Sequence, residues 1–300
     1  MQAKELIRTS LGVRPVSTVL RAVNSSPRLT EDQRATVYHR VTKKVANDPD
    51  RVFRHRVPTG RTVSIHLDGT IRRLYWTGTF ETDALPLFTS YARDSQVILD
   101  IGAAEGVYTL FAAAVSPRSQ IVAFEASPAE QRRLRANLDA NRSLVAGRVD
   151  LRPEALADHE GTADLFEVPG GTSSLNPGFR PGSTPRTVTV STGDAVVAEV
   201  APGGRVDLIK VDTESTEPAV LRGLRDTIER DRPVIFCEVL SGRTEADLQP
   251  LIDGWGYRSH WLSAEGPVAR RTIEGDPTNR YANWLFLPDD GPPRPSAPLR

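Results

Sequence analysis

The segment VILDIGAAEGVYTL, Val97–Leu110, constrains the fold most tightly. An apolar run reaches Asp100, Gly102 and Gly106 follow, and an apolar pattern suited to a helix then begins. A strand that enters a glycine-bearing loop and opens a helix is the building unit of α/β proteins that hold nucleotide-like ligands. The alternation continues to the end of the chain. Buried strands are expected at VILDI, QIVAFEA and RVDLIKVD, and further strands at RVDLRPEAL, with its following loop, PVIFCEV, YRSHWL and ANWLFLP. Helices are expected at VYTLFAAAV, SPAEQRRLRANLDAN, EPAVLRGLRDTIER and TEADLQPLIDGWG. Ser127, Pro128 and Glu130 form a capping box with a proline start. Strands alternating with helices imply a mainly parallel sheet covered on both faces.

The flanks differ. ADLFEV and RTVTVST read as strands around a Gly/Pro/Ser-rich loop, residues 170–186, of the kind that often forms a lid or binding loop. Upstream, LTEDQRATVYHRVTKKVA reads as a helix with Thr30 as N-cap, and RTVSIHLDGTIRRLYW as a hairpin about Asp68-Gly69. ETDALPLFTSYAR reads as a helix leading into the glycine loop. Three segments follow: an N-terminal helix and hairpin extension over 1–80, expected to cover the active site or form a dimer contact; the α/β domain over 81–288; and a disordered tail over 289–300.

Composition narrows the function classes. The 38 basic and 38 acidic residues cancel, so no global field draws nucleic acid or an anionic membrane. Cys237 is the single cysteine, which fits a reducing compartment. No apolar run approaches the roughly 20 residues a membrane span needs, and the N-terminus carries charges rather than an apolar signal core. A cytoplasmic protein is expected.

The glycine loop reads D-x-G-x-x-x-G, not G-x-G-x-x-G, and Glu105 stands where a pyrophosphate would rest on the helix N-terminus. This disfavours a nicotinamide dinucleotide. A ligand without phosphate that carries an amino acid and a cationic sulfur, S-adenosylmethionine, suits it better. Gly102 and Gly106 would let the backbone approach its methionyl part, and Glu125, at the end of the second strand, would accept from the ribose hydroxyls. Asp100, Glu125, Asp212 and Glu238 all close predicted strands, where open α/β sheets bind ligands.

DIGAAEGVYTL, VAFEASPAEQRRLRANLDAN, TSSLNP, VDLIKVDTESTEPAVLRGL, PVIFCEV and NWLFLP, in this order, resemble the FkbM family of S-adenosylmethionine-dependent methyltransferases over roughly residues 80 to 288. The resemblance implies a Rossmann-like class I methyltransferase fold with a seven-stranded sheet, its last strand antiparallel. It also implies O-methylation of a hydroxyl on a sugar or secondary metabolite. N- or carboxyl-methylation, and a cofactor-binding protein without catalysis, are the alternatives. Two departures stand out. Ala104 replaces the family's usual Asn, and Ser215 and Thr216 replace its Gly-Ala, unless these two simply cap the following helix.

On this reading the cofactor is expected along Asp100, Gly102, Ala103, Glu105, Gly106 and Tyr108, at Glu125 with Ala126, at Asp212, and at Glu154 and Ala155, where related folds receive adenine. A hydroxyl acceptor must lose its proton, so a carboxylate or histidine is needed nearby. Asp212 is the first candidate, with Lys210, Glu238 and His260 as further catalytic candidates. Period two puts Lys210, Asp212 and Glu214 on one side if the strand continues. A divalent metal held by Asp212, Glu214 and Glu238 is a less favoured option than a salt-bridged group. Ser173, Ser174, Asn176 and Glu214 are the candidates for holding a small-molecule acceptor.

Overall fold

The computed structural model describes residues 48–69, 71–168 and 172–289, with isolated residues between 18 and 37. Most of the expected helix at 29–46, with its Thr30 cap, and the tail from 290 onward lie outside the described residues. The chain divides into two units, residues 1–55 with 64–80, and residues 56–63 with 81–300.

β1 (Asp48–Arg56) pairs with β2 (Thr62–Leu67). The turn between them is closed by Val57 N–H donating to the Arg61 carbonyl, with Gly60 at φ 83°. This corrects the hairpin expected at Asp68-Gly69. The strand after that pair does not form; the chain enters α1 (Arg72–Thr77) instead. Ile71, Leu74, Tyr75 and Trp76 are buried at helical spacing, and that outweighs the turn signal. Within the first unit, the Phe53 and Tyr75 rings meet edge to face.

The second unit begins with α2 (Leu85–Ala92), β3 (Val97–Ile101), α3 (Val107–Val115), β4 (Gln120–Phe124), α4 (Pro128–Asp139), α5 (Arg142–Val145) and β5 (Val149–Arg152). Next come β6 (Ala155–Leu156), β7 (Gly161–Glu167), β8 (Ser173–Ser174), β9 (Thr184–Ser191) and α6 (Gly193–Val200). The remainder is β10 (Val206–Val211), α7 (Glu217–Arg222), α8 (Arg225–Asp231), β11 (Val234–Glu238), α9 (Glu245–Gly254), β12 (Tyr257–Ser263), β13 (Gly266–Arg270) and β14 (Asn283–Pro288). The main sheet runs β13-β12-β14-β11-β10-β3-β4-β5. β11, β10, β3, β4 and β5 are parallel, and β14 enters antiparallel between β11 and β12. These seven strands are the expected sheet; β13 adds an antiparallel edge strand. A smaller sheet, β6-β9-β7-β8, carries the two strands predicted around the Gly/Pro/Ser loop.

Each sheet face has its own helices. Leu99, Ile101, Ile209, Val211, Ile235 and Cys237 share a core with Val197 of α6, Leu221 of α7, Ile228 of α8 and Leu248 of α9. On the other face Phe236 meets Phe88 and Tyr91 of α2, and Leu134 of α4 packs with Ala123. Cys237 is a buried thiol whose pKa is pushed up by burial. α6 was not expected. Thr192 caps it by accepting from the Ala195 N–H. The helix expected over 217–230 is two helices. Gly223 lies so close to Ala157 that a Cβ there would sit 2.0 Å from its carbonyl oxygen. Asp194 of α6 then accepts the N–H groups of Asp226 and Thr227 at the start of α8. Among the described residues no helix is long and apolar enough to cross a membrane.

Candidate active site

The glycine loop is built by contacts within the protein. Gly102 has φ 82° and Gly106 φ 88°, which glycine adopts without penalty. A Cβ on Gly102 would lie 1.8 Å from the Asp212 carbonyl oxygen, and one on Gly106 2.3 Å from Leu134 Cδ1. Their presence is thus explained by packing, where the sequence reading invoked approach to a ligand. The Gly102 and Ala103 N–H groups donate to the Phe124 carbonyl. Ala104 takes φ 46°, a left-handed conformation in which Asn is commoner than Ala.

Glu125 ties this loop to the end of β4. Its Oε2 accepts from Ala104 N–H at 2.8 Å and its Oε1 from Ser127 N–H at 2.7 Å. Burial lifts its pKa to about 7, with Glu130 and Glu105 adding repulsion against those two donors. Glu105 is itself buried, and its carbonyl accepts from Asn137. Ser127 caps α4 as expected, but its own N–H goes to Glu125, while Glu130 pairs with Arg133. Gln131 donates to the Glu125 carbonyl and lies within 3.5 Å of the Ala126 carbonyl. Asp100 is buried and accepts from Thr109 Oγ1 at 2.5 Å, with its pKa raised to about 6 by burial. Glu154 lies 3.9 Å from Arg152 in an ion pair, and Ala155 pairs with Val190 in the smaller sheet.

On β10 Lys210 stands between Asp100 and Phe236 in sheet register. It is 1% exposed and gives its ammonium to Asp212 Oδ2 at 3.1 Å. Burial opposes its charge, but Asp212, Glu81 and Glu238 outweigh burial and raise its pKa. Lys210 is therefore held in its charged form. The ring of Tyr108 lies 5.1 Å from its Nζ, and the Tyr108 hydroxyl donates to Glu81. Glu81 also accepts from Asn283 Nδ2 at 3.1 Å. Sequence reading missed Glu81 and Asn283, which lie 202 positions apart with no shared motif.

Past Val211 the strand stops, so Glu214 does not continue the Lys210–Asp212 side. Glu214 has φ 55° and Ser215 φ 82°, the latter where the family places Gly. Neither Ser215 nor Thr216 caps α7. Thr216 Oγ1 donates to the Thr213 carbonyl, and Ser215 Oγ is buried with no hydrogen-bond partner. Glu217 organises this turn. Its Oε1 accepts from Thr213 N–H, Thr213 Oγ1 and Ser215 N–H, and burial lifts its pKa to about 7. An acid in the first turn of a proline-started helix was the signal available for it.

Glu238 closes β11 one register step beyond the Val211–Cys237 pair. Burial, then repulsion from Asp212, Glu214 and Glu217, pushes its pKa well above the usual carboxylate range. Its Oε2 has no hydrogen-bond partner. Burial and Asp212 likewise raise Glu214 to about 7. Among the described residues no group of three or more His, Cys, Asp and Glu is arranged to hold a metal ion. His260 does not join this group. It pairs with Leu285 in the middle of β12, three strands from Lys210, about 14 Å at ordinary strand spacing. Ser174 Oγ spends its proton on the Glu214 carbonyl and accepts from Asn176 N–H, whose own Oδ1 accepts from Gly178 N–H. Ser174 and Asn176 thus pin the loop to Glu214, with Ser173 beside them in β8.

The inserted antiparallel β14, the glycine loop after β3 and the acids at the strand ends define a Rossmann-like class I methyltransferase fold. Residues 100–259 match the Methyltransferase FkbM domain, more than half of the 300 residues, and the chain belongs to that family. Its relative in Streptomyces tacrolimicus, the 31-O-demethyl-FK506 methyltransferase FkbM, is 28% identical over 202 residues, 57% of this chain and 75% of that protein. Methyltransferase FkbM from Methylobacillus flagellatus KT superposes at TM-score 0.45 and 15% identity over 95% of this chain, which spans 60% of that protein's length. The O-methyltransferase from Bacillus cereus in complex with SAH gives TM-score 0.42 and 14% identity, covering 92% of this chain and 99% of that one.

Proposed function

We propose that the chain transfers a methyl group from S-adenosylmethionine to a hydroxyl of a small molecule, a sugar or a secondary metabolite. The observation that carries this reading is the charge set at the strand ends. Asp212, Glu214 and Glu217 are near enough to Glu238 to raise its pKa, and Lys210, already matched by Asp212, is a cation beside them. Such a set disfavours a pyrophosphate and suits a ligand whose sulfonium and ammonium outweigh its single carboxylate. The residues therefore fit S-adenosylmethionine, which supplies an electrophilic methyl on a cationic sulfur. Glu125 keeps lone pairs beyond its two N–H bonds, so ribose hydroxyls can donate to it.

On the acceptor side, Glu238 takes the hydroxyl proton. Its raised pKa makes its ionised form a stronger base than an ordinary carboxylate. Asp212, held by Lys210, orients the acceptor. The name of the Streptomyces relative, which specifies an oxygen, supports a hydroxyl. Incubation with methyl-labelled S-adenosylmethionine and a panel of sugars and macrolides should label an acceptor oxygen. Glu238→Gln should lower kcat by about 100-fold or more, and Asp212→Asn should lower it as well. Full turnover in both variants would overturn the acceptor-side assignment.

A further inference from the structure

Lys210 is unusual in this chain. Of the 38 basic residues only four are lysines, Lys4, Lys43, Lys44 and Lys210, so residues 81–300 contain one lysine among many arginines. An ammonium is a compact point charge, where a guanidinium is a broad planar fork. Beneath an aromatic ring and between two strands, the compact charge fits.

Three elements far apart in sequence converge on it. α3 sets the Tyr108 ring over Nζ at 5.1 Å. The segment before α2 brings Glu81, which accepts from the Tyr108 hydroxyl and holds a left-handed backbone at φ 36°. β14 supplies Asn283, whose Nδ2 donates to Glu81 Oε2 at 3.1 Å and reaches Asp83 Oδ2 at 3.4 Å. A non-glycine residue at positive φ persists only where its surroundings hold it, and here two side-chain donors hold its carboxylate. The Lys210 ammonium is then free to point one bond at Asp212.

We propose that Glu81 is a positioning residue: braced by Tyr108 and Asn283, it fixes Lys210 as a cation and, through Lys210, fixes the carboxylate of Asp212 at the end of β10. Its consequence for catalysis rests on the methyltransferase reading; its consequence for Lys210 does not. The charged and titratable groups facing Lys210 are Asp212 on its own strand, Asp100 on β3, Glu238 on β11, Tyr108 on α3, and Glu81 and Asp83 before α2. Burial raises the pKa of Glu81 itself, against Lys210 and the Tyr108 hydroxyl, which favour its carboxylate; ionised, Glu81 is one of the negative charges that offset the burial of Lys210.

With so few lysines, Nζ resonances of the full-length protein labelled with [15N]lysine are assignable by Lys210→Arg. In the wild type, the Lys210 ammonium should exchange slowly and stay protonated through pH 10. Glu81→Gln, which keeps the shape and removes the charge, should raise the Lys210 acid dissociation constant at least tenfold and speed its exchange. Glu81→Asp should restore most of the difference. A merely structural Glu81 would lower Tm in Glu81→Gln and leave the Lys210 resonance where it was, and that result overturns the proposal. If Glu81→Gln fails to fold, Tyr108→Phe, which frees the carboxylate but keeps the ring, should shift Lys210 in the same direction, and an unmoved resonance again overturns the proposal. Once an acceptor is found, Glu81→Gln should lower kcat by tenfold or more at unchanged KM. A shifted Lys210 without methyl transfer by the wild type would contradict the methyltransferase reading and leave the positioning role standing.

Discussion

Ser215 carries a Cβ at φ 82° and a buried hydroxyl without a partner. A side chain in the left-handed region costs about 1–2 kcal/mol, and a buried unpaired polar group adds to that. Ser215→Gly removes both costs, against a smaller loss from the greater freedom of the unfolded chain. It should therefore stabilise the protein by about 1 kcal/mol, read as a Tm higher by roughly 2–4 °C. An unchanged or lower Tm would show that the turn is not strained. Ala104, at φ 46°, is the milder case, because its N–H is anchored on Glu125. Both positions were marked in the sequence as departures from the family pattern. Their backbone conformation was not legible, because it depends on how Glu217 folds back onto its own turn and on Glu125, 21 positions from Ala104.

The break between α7 and α8 shows what an element's own pattern cannot reveal. Val220, Leu221, Leu224 and Ile228 keep helical spacing straight through it, and all four are buried in one core. The interruption is imposed by Ala157, against which only a glycine fits at 223, and it is sealed by Asp194 from the helix that sequence reading missed. Asp194→Ala would strip the start of α8 of its two N–H acceptors, and should cost about 1–2 kcal/mol, measured by urea unfolding. A loss below about 0.3 kcal/mol would mean that water caps the helix equally well. The parallel strands were legible because both of their faces are buried, so their apolar runs are nearly continuous. The Asp68-Gly69 pair misled because a turn signal is local, whereas the burial of Leu74, Tyr75 and Trp76 that overrode it is not.

The molecule as a whole gathers acids at the carboxyl end of its sheet. Asp100 is raised to about 6, and Glu125, Glu214 and Glu217 to about 7. Their unfolded values lie near 4, so between about pH 4.5 and 7 the folded chain binds more protons than the unfolded chain. Stability must then fall as pH rises through that window. Glu167, Asp231, Glu245 and Asp276 are held low; they stabilise above pH 4–5 and lose that effect only in acid. Tm should therefore peak near pH 5 and decline towards pH 7.5, and Glu217→Gln should flatten the decline. A Tm that rises from pH 5 to 7.5 would refute this charge assignment. The concentration of acid at the strand ends was legible from Asp100, Glu125, Asp212 and Glu238. Glu81 and Asn283 were not, because only the folded sheet brings them together.

The same acids favour a phosphate-free sulfur nucleoside over a dinucleotide. Isothermal titration of the protein with S-adenosylhomocysteine, S-adenosylmethionine and NAD⁺ separates the two. Saturable one-to-one binding of the two sulfur nucleosides, weakened at least tenfold in Glu125→Ala, with no heat from NAD⁺, is the predicted result; binding of NAD⁺, or of neither sulfur compound, would contradict it.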